Sequence, residues 1–198
     1  MKVIELLNKD FTNACHELAD KVLEDACPDT IIGVLTGGGV VGREMLEQFK
    51  SKGCKPNYLE FKIQRQLTKK KESVGVRSLL RKMPRSITKR LILMEVLVLE
   101  LKSKFVTPKR DIDYKLDNEL REEFANPKSI GSLLIIDDCI DTGATVQALV
   151  SHINTINQNI KIKVAVITVT HKNPLIKADY QLFERTICRF PWSMEIQN

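Results

Sequence analysis

Apolar residues along the chain follow two periods, and the changes between them mark out the elements. From about Val3 to Ala26, the residues Leu6, Leu7, Phe11, Ala14, Leu18 and Val22 recur near intervals of three and four, which predicts a leading helix. Asp29-Thr30 then opens an apolar run, Ile31-Ile32-Gly33-Val34-Leu35, expected as a buried strand that ends in Thr36-Gly37-Gly38-Gly39. A helix should follow, turning Met45, Leu46 and Phe49 towards the core and ending near Gly53. Pro56 to Ile63 alternates like a second strand. Strand, helix and strand in that order make a βαβ unit, the mark of a parallel sheet.

The second half repeats the pattern. Leu133-Leu134-Ile135-Ile136 reads as the clearest strand, Val146 to Ile156 as a helix, and Ile162 to Val169 as a further strand. Alternation of strand and helix is expected to continue to the end. Between the halves, Ser86 to Phe105 predicts a helix that is apolar on most sides, broken by Pro108 and suited to packing on the domain or on a partner subunit. A polar helix, Tyr114 to Phe124, precedes Pro127. With no linker or internal repeat visible, the expectation is one α/β domain over 1–198, with an insertion at 62–127.

Composition changes this picture in one place. The chain of 198 residues carries a net charge of +6, which suggests anionic partners without naming one. The charge is concentrated: Lys62 to Arg90 holds eleven Lys or Arg against one acid, Glu72. The N-terminal stretch scatters acids where a secretory leader would be apolar. The longest apolar run, Leu91 to Leu101, is too short for a bilayer and is broken by Glu95 and Glu100, so a cytoplasmic protein without membrane contact is expected. Cys15, Cys27, Cys54, Cys139 and Cys188 are widely spaced, odd in number and without a CxxC pair, which predicts reduced thiols. His16, His152 and His171 have no metal-site spacing.

The candidate chemistry lies in Leu133 to Thr145. A fully apolar strand delivers Asp137 and Asp138 to the carboxyl edge of a parallel sheet, where ligands of such folds bind. The next turn, Asp141-Thr142-Gly143-Ala144-Thr145, opens a helix. Its backbone N–H groups and the hydroxyls of Thr142 and Thr145 suit a phosphate, while Gly143 and Ala144 keep bulk away. Carboxylates beside a phosphate cradle suit a sugar phosphate: they accept hydrogen bonds from ribose hydroxyls while the loop takes the 5-phosphate. A divalent cation could complete the charge balance.

The run LLIIDDCIDTGAT resembles the signature of type I phosphoribosyltransferases: four apolar residues, two acids, two variable residues, an acid, then Thr-Gly-(small)-Thr. Every position is filled. The resemblance implies a parallel-sheet phosphoribosyltransferase fold and binding of 5-phosphoribosyl-1-pyrophosphate, with Mg2+ bridged by substrate near Asp137 and Asp138 rather than ligated directly. It also implies transfer of the phosphoribosyl group to a nitrogenous base, as in purine salvage. Asp141 becomes the candidate general base, or the group that orients the purine N7 side. Thr36-Gly37-Gly38 becomes the pyrophosphate loop, similar to the Arg-Gly-Gly-Leu-(x)-Pro-Gly stretch of bacterial xanthine-guanine enzymes. Thr36 stands where those have arginine, and Arg43 or the basic insertion is a candidate replacement. Gly37-Gly38-Gly39-Val40-Val41-Gly42 with Glu60 also fits a dinucleotide fingerprint, which leaves the Asp137 motif unexplained.

Two further stretches extend the resemblance. The segment around Lys69, Lys70 and Lys71 stands where the family has a lid over pyrophosphate; a solvated charged loop and a nucleic-acid grip are the other readings. His171-Lys172-Asn173-Pro174, then Ala178-Asp179-Tyr180 and Arg189-Phe190-Pro191-Trp192, resemble the 6-oxopurine subfamily. This implies Lys172 donating to a 6-oxo group and Ile187 at the place of a base-stacking aromatic. The same tail also fits a buried edge with Trp192 in the core. The family's members commonly pair, so a homodimer is expected. A regulator that senses the same sugar phosphate without chemistry, and binds nucleic acid through the insertion, is the alternative suggested by Thr36 and Ile187.

Overall fold

The computed structural model describes residues 1–63, 112, 114–125 and 131–193. The expected helix 86–105, the lid residues Lys69, Lys70 and Lys71 and most of the basic insertion lie outside the described residues. The elements are β1 (Lys2–Glu5), α1 (Lys9–Leu23), β2 (Thr30–Val34), α2 (Gly37–Ser51), β3 (Asn57–Phe61) and α3 (Tyr114–Phe124). They continue with β4 (Ser132–Ile140), α4 (Ala144–Ile156), β5 (Lys161–Val169), β6 (Tyr180–Glu184) and β7 (Thr186–Arg189).

Five strands form one sheet in the order β3-β2-β4-β5-β6, every neighbouring pair parallel. Side chains of a strand alternate between faces, and here each face has its own cover. Ile31, Leu134, Ile136, Ala165 and Ile167 face α1 and α2, packing with Phe11, Leu18, Met45 and Phe49. Ile32, Leu133, Ile135, Val164 and Val166 face α3 and α4, packing with Leu116, Leu120, Phe124, Leu149 and Ile153. Burial on both faces is why β2 and the first half of β4 read as apolar runs, whereas the edge strand β3 alternates. The end of the 62–127 segment, as α3, is therefore part of the core layer.

Several expectations need correction. The leading helix starts only at Lys9; Lys2–Glu5 is a strand paired in parallel with Thr186–Arg189 in a small second sheet. That pairing joins the two ends of the chain, and local periodicity carries no sign of it. Gly37-Gly38-Gly39 form the first turn of α2 rather than a loop before it. Strand β4 runs on to Ile140, so Asp137 and Asp138 belong to the strand itself. Helix and strand do not alternate to the end: a loop joins β5 to β6, and Arg185 alone separates β6 from β7. Cys27 and Cys54 are joined in a disulfide, contrary to the expectation of five reduced thiols, while Cys15, Cys139 and Cys188 are free. The bridge ties the loop after α1 to the loop after α2, two segments that meet because both helices pack side by side on one face. Among the described residues, no helix is long and apolar enough to cross a membrane.

Candidate functional site

The strand order sets the position of the site. From β2 the chain crosses through α2 to β3 on one side, and from β4 it crosses through α4 to β5 on the other. The two crossovers lie on opposite faces of the sheet, so the carboxyl ends of β2 and β4 border a crevice at a topological switch point. The N-termini of α2 and α4 both open there, and the carboxylates of β4 lie between them. A helix N-terminus presents backbone N–H groups with no intrahelical acceptor and the positive end of the helix dipole.

The first turn of α2 lies directly on β4. A β-carbon at Gly37 would stand 2.1 Å from Asp138 Oδ2, and one at Gly38 would stand 2.4 Å from the Ile136 carbonyl oxygen. Only a side-chain-free turn can come this close. Thr36, exposed at the N-cap, makes no side-chain cap hydrogen bond. Asp138 also accepts a hydrogen bond from Trp192 Nε1 at 3.3 Å. Asp137 Oδ1 accepts from the Asp138 N–H at 2.9 Å.

The turn after β4 is tight. Gly143, at φ 79°, is the N-cap of α4 and adopts a left-handed conformation that favours glycine. A β-carbon there would also press on Ile176 at 3.2 Å. The Ala144 N–H lies 3.5 Å from Thr142 Oγ1. Asp141 Oδ1 accepts a hydrogen bond from Thr170 Oγ1 at 3.2 Å, which ties the carboxylate to the end of β5. Arg185 in turn donates to the Thr170 carbonyl at 2.9 Å. Cys139 is set among these carboxylates: burial pushes its thiol well above the usual range, and Asp138 and Asp137 push it further.

The expected residues converge to different degrees. Thr36, Gly37, Gly38, Asp137, Asp138, Asp141, Thr142, Gly143, Ala144 and Thr145 all lie at the carboxyl edge of β2 and β4 or in the helix turns that open there. Lys172 is exposed on the loop after β5, and that loop reaches the turn through a hydrogen bond from the Leu175 N–H to the Thr142 carbonyl at 2.9 Å. Ile187 is half-buried on β7, paired with Val3 and outside the five-stranded sheet. Arg43 is ion-paired with Glu60, and it lies six residues into α2, about 9 Å beyond the helix start. Both facts count against it as the replacement for the family's arginine. Glu60 is also met by the Tyr58 hydroxyl at 2.9 Å, which leaves this acid engaged on the α2 face instead of offered to a dinucleotide. Among the described residues, no cluster of His, Cys, Asp or Glu could by itself hold a metal ion.

Thr170 and Trp192 are the residues at this site whose contacts the sequence did not indicate. A Thr closing an apolar strand could have flagged the first; no local signal marks the second, which reaches Asp138 across 54 positions.

Comparison with known proteins gives a consistent picture. The family model described as "Phosphoribosyl transferase domain" matches residues 4–198. Comparison with curated protein sequences gives no match. Among solved structures, a purine phosphoribosyltransferase from Pyrococcus horikoshii superposes with a TM-score of 0.56 at 18% identity, covering 98% of this chain and 95% of that one. The Helicobacter pylori xanthine-guanine-hypoxanthine phosphoribosyltransferase gives 0.57 at 10% identity, with coverage of 98% and 95%. A hypothetical protein from Neisseria gonorrhoeae, solved with bound ppGpp, gives 0.59 at 13% identity, with coverage of 96% and 89%. At these identities the structural likeness speaks for the fold.

Proposed function

The chain belongs to the phosphoribosyltransferase family of enzymes, and from that premise we propose that it takes 5-phosphoribosyl-1-pyrophosphate as donor and a purine as acceptor, within one domain over 1–198. The observation that carries this reading is the meeting of two helix N-termini and the Asp137–Asp138 pair at the switch point of the sheet. A doubly phosphorylated sugar needs anion sites on both sides of a hydroxyl-binding centre, and this crevice offers that order. The α4 turn, Asp141 to Thr145, takes the 5-phosphate. Asp137 and Asp138 accept from the ribose hydroxyls. The α2 turn at Thr36, Gly37 and Gly38 takes pyrophosphate through backbone N–H groups.

In the transfer, the bond from the anomeric carbon to pyrophosphate breaks, and a bond from that carbon to a ring nitrogen forms. Positive character develops on the sugar and negative charge on the leaving group, so carboxylates beside the ribose and helix N-termini beside the phosphates both favour the transition state. Asp141, held by Thr170, receives or orients the proton on the purine N7 side. Lys172 donates to the 6-oxo group, and Ile187 packs on the ring. The purine acceptor is supported by the Pyrococcus and Helicobacter fold relatives, a purine and a xanthine-guanine-hypoxanthine phosphoribosyltransferase. Oxygen donors at Asp137 and Asp138 suit Mg2+ held through the substrate, which when bound would neutralise pyrophosphate. The lid role of Lys69, Lys70 and Lys71 and a homodimer complete the proposal.

The test is pyrophosphate release from the donor with Mg2+, against hypoxanthine, guanine, xanthine, adenine, uracil and orotate. Release with a purine alone supports the reading and names the acceptor. Release with only a pyrimidine overturns the purine assignment, and silence with every base overturns the transferase reading for this panel.

A further inference from the structure

We propose that Trp192 is a positioning residue that fixes the Asp138 carboxylate for the ribose hydroxyls. The proposal deepens the reading above and rests on it for the identity of the ligand.

Trp192 follows β7 in a turn closed reciprocally: Ser193 Oγ accepts from the Phe190 N–H at 3.0 Å, and the Ser193 N–H donates to the Phe190 carbonyl at 2.9 Å. The indole stacks on buried Phe190 at 4.9 Å with an interplanar angle of 4°, and Phe11 of α1 meets it edge-on at 5.3 Å. Two ring contacts in perpendicular directions hold the plane and aim the ring N–H at Asp138 Oδ2. An indole nitrogen donates and never accepts, so the contact has one polarity. The same carboxylate lies against the backbone of Gly37, where no side chain fits. Asp138 is thus confined by a glycine turn and a fixed indole. At 3.3 Å the contact is longer than a strong charge-assisted hydrogen bond, and Oδ2 retains capacity for a further donor such as a ribose hydroxyl. A partly exposed tryptophan could have met water; here its N–H meets the central strand of the sheet instead.

Trp192 is the only tryptophan in the chain, so its emission reports this contact directly. Excitation moves electron density away from the indole nitrogen, and a carboxylate at that end favours emission at longer wavelength. In the ligand-free full chain, Asp138→Asn should therefore shift the emission to shorter wavelength; an unchanged spectrum overturns the contact and the proposal. Trp192→Phe keeps a ring on Phe190 and Phe11 but removes the N–H. It should raise KM for 5-phosphoribosyl-1-pyrophosphate roughly fivefold, as expected for one hydrogen bond to a charged, partly exposed acceptor, with KM for the base unchanged. Equal losses for both substrates, or none, overturn the positioning role. Should Trp192→Phe fail to fold, titrating wild type with the sugar phosphate decides: emission must shift with saturation, and saturation by calorimetry with a silent indole overturns the proposal. If wild type does not bind the sugar phosphate at all, the ribose reading fails, and the positioning role with it, even where Asp138→Asn has moved the emission.

Discussion

Gly37 lies against Asp138 so closely that a β-carbon would stand 2.1 Å from its Oδ2 and 2.3 Å from its carboxyl carbon. The helix that opens at Gly37 and the strand that carries Asp138 thus share one boundary, and the shape of the crevice depends on it. Gly37→Ala should force the carboxylate or the helix start to shift. A stability loss of about 1–3 kcal/mol is expected, as for overpacking at a close backbone approach, and donor affinity should fall by at least about tenfold. Denaturant unfolding and calorimetry read the two effects. Wild-type values for both would mean that the close approach is not a constraint.

Asp141→Asn should keep the fold, because the amide oxygen can still accept from the Thr170 hydroxyl. It removes the negative charge, and turnover is expected to fall on the order of 10²-fold, the lower range for loss of a general base. Thr170→Val removes the donor that holds the carboxylate and should cost a few-fold in turnover, about 1 kcal/mol. Steady-state pyrophosphate release on both variants gives the order. If Asp141→Asn turns over like wild type, Asp141 takes no part in the mechanism.

The site was legible in the sequence only where its parts are local. The β4 motif could be read because every part of it is local: an apolar strand, its carboxylates and the turn lie within thirteen consecutive residues. Helix α3 could be read, bounds included, from its spacing and the proline after it. The glycine run reads as a loop in the sequence, because glycine is a poor helix former and the strand it packs on lies about a hundred residues away. The β1–β7 pairing, the Trp192–Asp138 contact and the Cys27–Cys54 bridge were not legible, since each joins segments that only the finished fold brings together.

Asp29 offers a pH-dependent test of the frame beneath the site. Its Oδ2 accepts from Ser132 Oγ at 2.9 Å, the Ser132 N–H at 2.8 Å and the Gly131 N–H at 3.1 Å, pinning the start of β4 beside β2. The Ser132 hydroxyl, with these backbone groups, holds the carboxyl below its usual range. A depressed carboxyl binds its proton less readily when folded, so its contribution is present above the unfolded value of about 3.9 and is lost as pH falls through the lower folded value. Asp29→Asn should therefore weaken the protein at pH 7 while flattening the loss of stability below about pH 4. Urea midpoints of both proteins across this range decide it, and parallel curves would show that Asp29 is not among the groups responsible.

The Cys27–Cys54 bridge closes a loop of sequence separation 27 around β2 and α2. Chain-entropy arguments give about 3.5 kcal/mol for a loop of that length, acting mainly on the unfolded chain. Reduction, or Cys54→Ser in its place, should lower the urea midpoint accordingly while leaving pyrophosphate release close to wild type, because the bridge lies at the amino edge of the sheet and the site at the carboxyl edge. The remaining thiols provide the control. Burial pushes Cys188 up to about 11 and Cys15 and Cys139 further still, so near neutral pH all three are overwhelmingly thiols and slow to alkylate. Oxidised native protein should thus label slowly with iodoacetamide, and reduced native protein should label fastest at Cys27, which is exposed. Rapid labelling of Cys27 without reductant would mean that the bridge is not formed, and the midpoint should then be insensitive to reductant.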